Sequence, residues 1–264
     1  MGTGTRNHVP AYPFKSTYLW TASDPTYAAV NGDDLLPDLA IGRLPAANPD
    51  QARVMLDKVL AYENAGWTLG AGPAVLVADN ADQAGDFEAD AEGLAAGVLA
   101  TRNPQKIYLS QLGEATRPTI LEAFDHGASL MSYIGHGAIL LWATENVFNN
   151  ADVASLSPQP LQPLVMTLNC LNGYFHYPYL NSLAEELVKA EGKGAIATFS
   201  PSGLSLDDPA NLYHEALLAE IVSGRHQRLG DAVLAAQVTY ANTGATPELL
   251  SLYHLFGDPA LVIR

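Results

Sequence analysis

A single cysteine in 264 residues, Cys170, leaves no partner for an internal disulfide and rules out a multi-cysteine zinc site. Cationic residues are also scarce: 13 Lys and Arg stand against 28 Asp and Glu, for a formal charge of -15. Such a surface repels phosphate backbones and anionic headgroups, so no nucleic acid or membrane partner is expected, whereas cationic substrates are favoured. No apolar run reaches the ~18 residues that a membrane span needs. Met1–Pro10 is polar and Gly-rich, without an apolar h-region, so no signal peptide is visible. Also missing are an Asn-x-Ser/Thr acceptor, a Gly-x-Ser-x-Gly elbow, a His-Glu-x-x-His pair, a P-loop and a dinucleotide fingerprint.

What remains is a globular composition, 48% hydrophobic and only 16% charged, long enough to bury a sizeable core. The opening, to about Asn48, is loop-rich, with strand candidates at 16–20 and 39–41. From there the pattern alternates. Helical spacing over 49–64 (Val54, Leu56, Val59, Leu60) predicts a helix started by Pro49, followed by a strand at 74–78 and a helix at 82–99. A strand at 106–109, a helix at 117–124, and strands at 129–134 and 164–168 come next. The remainder reads as helix 183–190, strand 194–198, helices 211–222 and 229–240, and a last strand at 261–263. Strands alternating with helices predict a mainly parallel sheet covered on both faces. No internal repeat or low-complexity tract appears.

In open parallel sheets functional residues gather where the strands end. One such end is Ser132-Tyr133-Ile134-Gly135-His136-Gly137, a strand stopping at a histidine bracketed by glycines. Those glycines permit unusual backbone angles and leave the imidazole open to a ligand. The other is Val165-Met166-Thr167-Leu168-Asn169-Cys170-Leu171-Asn172-Gly173. If the two strands are neighbours, His136 and Cys170 lie side by side, and an imidazole beside a thiol promotes the nucleophilic thiolate below the free-cysteine pKa of about 8.5. A lone cysteine after an apolar strand is otherwise a small core residue, and Gly-His-Gly otherwise a tight turn. The occurrence of both at consecutive strand ends favours catalysis. A zinc site from His136, Cys170 and His176 lacks the usual paired spacing. Gly32-Asp33-Asp34 and Leu206-Asp207-Asp208 are acidic loops that could hold calcium as a structural ion, or plain solvated loops. Trp142 and Tyr174, near these strand ends in sequence, are candidates to line a substrate cleft or to be core.

Further stretches carry a resemblance: Pro37-Asp38-Leu39-Ala40-Ile41-Gly42-Arg43-Leu44, then Trp142 and Glu145 after Ser132–Gly137. Asn169–Phe175, Ser182-Leu183-Ala184-Glu185 and Leu255-Phe256-Gly257-Asp258-Pro259-Ala260-Leu261 complete it. In this order, over about four-fifths of the chain, they resemble the gingipain-type peptidases, family C25, of the caspase-like clan of cysteine peptidases. The resemblance implies a caspase-like three-layer α/β sandwich at 47–264, preceded by a loop-rich remnant of a smaller subdomain at 1–46. It implies Cys170 as nucleophile, His136 as base, and an oxyanion hole from the N–H groups of Gly137 and Cys170. It also implies Asp79 as an assisting acid, although gingipains carry a glutamate there and helix capping is an equal alternative. Asp86 falls where the family binds a basic P1 side chain; its own alternative is a place in the helix's solvated first turn. The expected activity is cleavage of peptides after Arg or Lys through a thioester, with no cofactor required. Two alternatives remain open, an acyl transfer to amines and a catalytically silent binding module. The kinship points to an extracellular or cell-surface site of action and leaves a cytoplasmic one open.

Overall fold

A computed structural model describes residues 9–70 and 72–264; the first eight residues of the expected 1–46 segment lie outside the described part. The opening stretch forms a hairpin, β1 (Pro13–Lys15) and β2 (Trp20–Ala22), and a turn of helix, α1 (Pro25–Ala28). Then follow α2 (Pro49–Asn64), β3 (Ala74–Ala78), α3 (Phe87–Ala96), β4 (Gln105–Tyr108), α4 (Leu109–Leu112), α5 (Thr116–Asp125) and β5 (Leu130–Ile134). Three short strands, β6 (Gly137–Ala138), β7 (Leu141–Trp142) and β8 (Phe148–Asn149), lead into α6 (Asn150–Ser155) and β9 (Leu164–Leu168). The chain finishes with α7 (Leu183–Lys189), β10 (Ala197–Pro201), α8 (Asp207–Val222), α9 (Leu229–Ala241), α10 (Glu248–Leu252) and β11 (Tyr253–Phe256).

Among the described residues, six strands form the central sheet in the order β11-β10-β9-β5-β3-β4, parallel except for β11. Its inner strands are buried at every position, because alternate side chains face two separate cores. Leu76, Ile134, Met166 and Phe199 face α3, α8 and α9 on one side. Val77, Tyr133 and Val165 face α5, α6 and α7 on the other. The result is the expected three-layer α/β sandwich.

Helix α2 begins and ends where the spacing predicts, with Asn48 accepting from the Gln51 amide as N-cap and Pro49 in the first turn. Its buried stripe differs from the one expected: Ala52, Met55, Val59 and Tyr62 face inward, while Leu56 and Leu60 are exposed. Lys58 is buried among them. Its ammonium donates to the carbonyls of Leu187 (3.4 Å), Val188 (3.2 Å), Lys193 (2.8 Å) and Ala195 (2.7 Å), closing the C-terminal end of α7. Burial lowers its pKa to about 7.

The last strand is Tyr253–Phe256, antiparallel to β10, rather than the expected 261–263. Its outer edge is covered by the opening segment: the Arg43 amide donates to the Leu255 carbonyl (2.8 Å) and the Gly257 amide to the Arg43 carbonyl (2.9 Å). The Arg43 side chain is buried. Its Nε and Nη2 grip both oxygens of the buried Asp24 at 2.5 and 2.6 Å, and its guanidinium carbon lies 4.5 Å from the Phe175 ring centroid. The bidentate pair ties the opening segment to itself, and the stacking of the guanidinium on Phe175 joins that segment to the loop after β9. Among the described residues, no helix is long and apolar enough to cross a membrane.

Removing one member of a buried ion pair strands the other charge. Arg43→Ala should therefore cost roughly 3–5 kcal/mol in urea unfolding. A loss of under about 1 kcal/mol would show that the opening segment contributes little to holding the sheet edge.

Candidate active site

Three neighbouring parallel strands stop at one level. Ala78 of β3 pairs with Ile134 of β5, and Ile134 pairs with Leu168 of β9. Asp79 is thus the first residue after β3, while His136 and Cys170 are each two residues beyond the paired Ile134 and Leu168. The structure accordingly brings these three to one end of the sheet. A side chain on Gly137 would meet the Asn169 amide and, at 2.8 Å, the Cys170 carbonyl, so the two strand ends are in contact.

The histidine loop is held from below. The Tyr133 hydroxyl donates to the His136 carbonyl (2.6 Å), and the Tyr133 ring stacks on Trp142 at 4.6 Å with planes 4° apart. Trp142, a candidate for the cleft, is instead wholly buried between Tyr133 and Phe148 and acts as a support. The Ala143 amide donates to the His136 carbonyl (2.9 Å), which makes Gly137 and Trp142 a non-hydrogen-bonded pair of the β6–β7 hairpin. By that alternation the Gly137 N–H points away from β7.

Asp79 is buried. Its carboxylate accepts from the His136 amide (3.0 Å) and the Asn80 amide (2.9 Å), and burial raises its pKa. It caps no helix: α3 starts later than expected, at Phe87. The cap is the exposed Asp86, whose Oδ1 accepts from the Ala89 amide at 3.1 Å. Asp82, for which the sequence suggested no contact with the histidine and at most a fallback role in P1 choice, reaches the imidazole instead. Its Oδ2 lies 2.9 Å from His136 Nε2, and its Oδ1 accepts from the Ala84 amide at 2.7 Å. Those bonds, the Ala84 amide first, hold its pKa down. The Phe87 ring meets the His136 ring edge-on at 5.3 Å.

Cys170 is half-buried, and its thiol faces the Ser205 carbonyl at 3.8 Å. Burial pushes its pKa up, opposite to the expected depression, and the Ser205 carbonyl contact offsets only part of that rise. Leu171, next in the chain, has φ 63°, a left-handed conformation costly for a residue with a side chain. The turn is fixed by Asn172, wholly buried, whose amide donates to the carbonyls of Ala138 (2.5 Å) and Leu141 (3.2 Å) and accepts from Asn169 Nδ2 (2.6 Å). Tyr174 is half-buried beside His176, ring centroids 3.9 Å apart.

A group of carboxylates flanks the site. Asp207 is within hydrogen-bonding reach of Asp90, Asp208 adds its charge nearby, and Asp86 acts on Asp90. Burial first, then Asp90, raises the Asp207 pKa to about 6. Among the described residues, no group of three or more His, Cys, Asp or Glu side chains is arranged to hold a metal ion. Ser205 and Asn172 carried no signal as single residues; Asp82, three positions after Asp79, lay within a stretch expected to be helical.

The model of peptidase family C25 matches residues 1–264. Gingipain R2 of Porphyromonas gingivalis is 26% identical over 261 residues, covering 92% of this chain and 35% of that protein. Gingipain R1 of the same organism gives the same identity over 26% of its length. The chain thus spans about a third or less of these curated relatives. Among solved structures, the Arg-specific cysteine proteinase gingipain R superposes with a TM-score of 0.79 at 22% identity, over 92% of this chain and 60% of that one. The separase of the Saccharomyces cerevisiae separase–securin complex does so at 0.58 and 15%, over 83% of this chain and 14% of that one. These likenesses establish the caspase-like fold.

With the two strand ends in contact, Gly137→Ala has to move Asn169 or the Cys170 carbonyl. It should destabilise by about 1–3 kcal/mol, the usual cost of overpacking. An unchanged thermal midpoint would mean that the gap has room.

Proposed function

The chain belongs to peptidase family C25, and from that membership we propose that it cleaves peptide bonds with Cys170 as nucleophile and His136 as base. The observation that carries the reading is the shared register of β5 and β9, which delivers imidazole and thiol to one end of the sheet. Burial raises the thiol pKa, and in this reading thiolate formation is coupled to proton transfer onto His136. The thiolate attacks the scissile carbonyl and an S–C bond forms. The carbonyl oxygen, now carrying the negative charge, is received by the N–H groups of Gly137 and Cys170. Collapse breaks the C–N bond, and the imidazolium gives its proton to the leaving amine. Water, deprotonated by His136, then hydrolyses the thioester.

For the substrate we propose a basic P1 residue, as in the Arg-specific solved relative. Asp86 is engaged as the α3 cap, so the Asp90–Asp207 pair next to it is the better-placed partner for a P1 cation. A guanidinium or ammonium there would relieve the repulsion between two carboxylates and form charge-assisted hydrogen bonds. The net charge of -15 would draw such peptides in.

Cys170→Ala should fold and lose all turnover, and His136→Ala should lower kcat by about two to four orders of magnitude. Turnover by the folded Cys170→Ala protein would refute the nucleophile. In a P1-varied peptide library, Arg and Lys should lead, and Asp207→Asn should erode that lead by roughly tenfold or more. If Asp86→Asn alone abolishes the preference, the cation is bound at the helix cap instead. A neutral P1 preference would refute the pocket and leave the dyad standing.

A further inference from the structure

We propose that Asp82, not Asp79, is the acid that positions the His136 imidazole for proton exchange with Cys170. The inference rests on the peptidase reading above and deepens it.

Asp79 spends its carboxylate on backbone. Its Oδ2 takes the His136 amide and its Oδ1 the Asn80 amide, so it fixes the loop that carries the ring, and neither bond is to the ring. Asp82 is built differently. Its amide donates to the Gly85 carbonyl (3.1 Å) and its Oδ1 accepts from the Ala84 amide, a tight turn that anchors the carboxylate. Oδ2 is left to face His136 Nε2 at 2.9 Å. A carboxylate only accepts, so Nε2 carries the hydrogen and the lone pair of the neutral ring lies on Nδ1. The Cys170 proton therefore goes to Nδ1. The positive charge that then spreads over the ring is countered by Asp82, and the same Nδ1 proton is handed to the leaving amine. Asp82 keeps its own charge throughout.

The turn itself is propped. A side chain on Gly85 would fall on the Asp207 carboxylate and would have to push it aside. Phe87 closes the other side of the ring. The remaining charged groups that act on this centre are Asp79 and Asp207, each within electrostatic reach of His136, and Glu145, which acts on Asp79. Among the described residues, Asp82 is the carboxylate within hydrogen-bonding distance of the ring.

The test compares the 264-residue chain with its Asp82→Asn, Asp82→Glu, Asp79→Asn and Gly85→Ala variants. It uses two readouts, kcat and KM on a peptide substrate and the pH profile of Cys170 alkylation by iodoacetamide. Asp82→Asn should lower kcat by roughly a hundredfold with KM little changed, as expected when a reacting group is misplaced by about 1 Å. It should also move the alkylation profile to higher pH by about half a unit to one unit, because an uncompensated imidazolium supports the thiolate less well. Asp82→Glu should restore part of both effects. Gly85→Ala should reproduce them without removing a charge, and circular dichroism should show Asp82→Asn folded, since the side chain is nearly half exposed. An Asp82→Asn protein with the wild-type alkylation profile and kcat within about twofold would overturn the proposal. So would an Asp79→Asn protein that moves the profile when Asp82→Asn does not. Alkylation needs no peptide turnover. A chain that hydrolyses no peptide but shows the Asp82-dependent shift would sink the peptidase reading and keep the positioning role.

Discussion

The register of β5 against β9 is the constraint on which the rest of this molecule depends. Parallel strands have a fixed hydrogen-bond stagger, and pairing Ile134 with Leu168 sets His136 and Cys170 at the same height. A slip of one residue would carry Tyr133 and Val165 to the wrong core, so burial of both faces locks the pairing. Because β3 pairs with β5 at the same level, Asp79 arrives there too. The chemistry at this end is thus a by-product of packing two cores against one sheet.

Around that end, buried polar groups do what apolar packing cannot, which is to fix loops. Asn172 ties the turn after β9 to the β6–β7 hairpin, joining the thiol's loop to the histidine's. Arg43 clamps Asp24 and lies over Phe175, five residues beyond the thiol, so the opening segment braces the same loop from behind. At the opposite end of the sheet, Lys58 holds four carbonyls at the end of α7 and over the approach to β10. Each group is desolvated and satisfied, and each would be costly to leave half-paired.

How much of this was legible in the sequence depended on whether the signal was local. Strands such as Leu164–Leu168 read as mainly apolar runs because both of their faces are buried, and Gly-His-Gly and Asn-Cys-Leu-Asn-Gly marked the ends that matter. The spacing at 82–99 looked helical from its first residue, yet residues 82–85 form a turn in which the Asp82 amide donates to the Gly85 carbonyl and Asp82 Oδ1 accepts from the Ala84 amide, and α3 starts only at Phe87. Leu261–Ile263 looked like a strand, but the pairing partner of β10 is Tyr253–Phe256, chosen by long-range closure of the sheet edge. Trp142 was adjacent in sequence to the site and buried in space, because a two-residue strand reverses its direction inside the core. The acid at the imidazole was missed because kinship pointed to the strand end, whereas the ring is met from the loop beyond it.

The solitary thiol has a redox consequence. Cysteine sulfenic acid is normally rescued when a second thiol captures it as a disulfide. Cys170 has no such neighbour anywhere in these 264 residues. A peroxide that reaches the half-buried sulfur therefore leaves a sulfenic acid that only an external thiol can reverse. That thiol can be Cys170 of a second copy, which would couple the two chains through one disulfide; with no thiol in reach, further peroxide carries the sulfur irreversibly to the sulfinic acid.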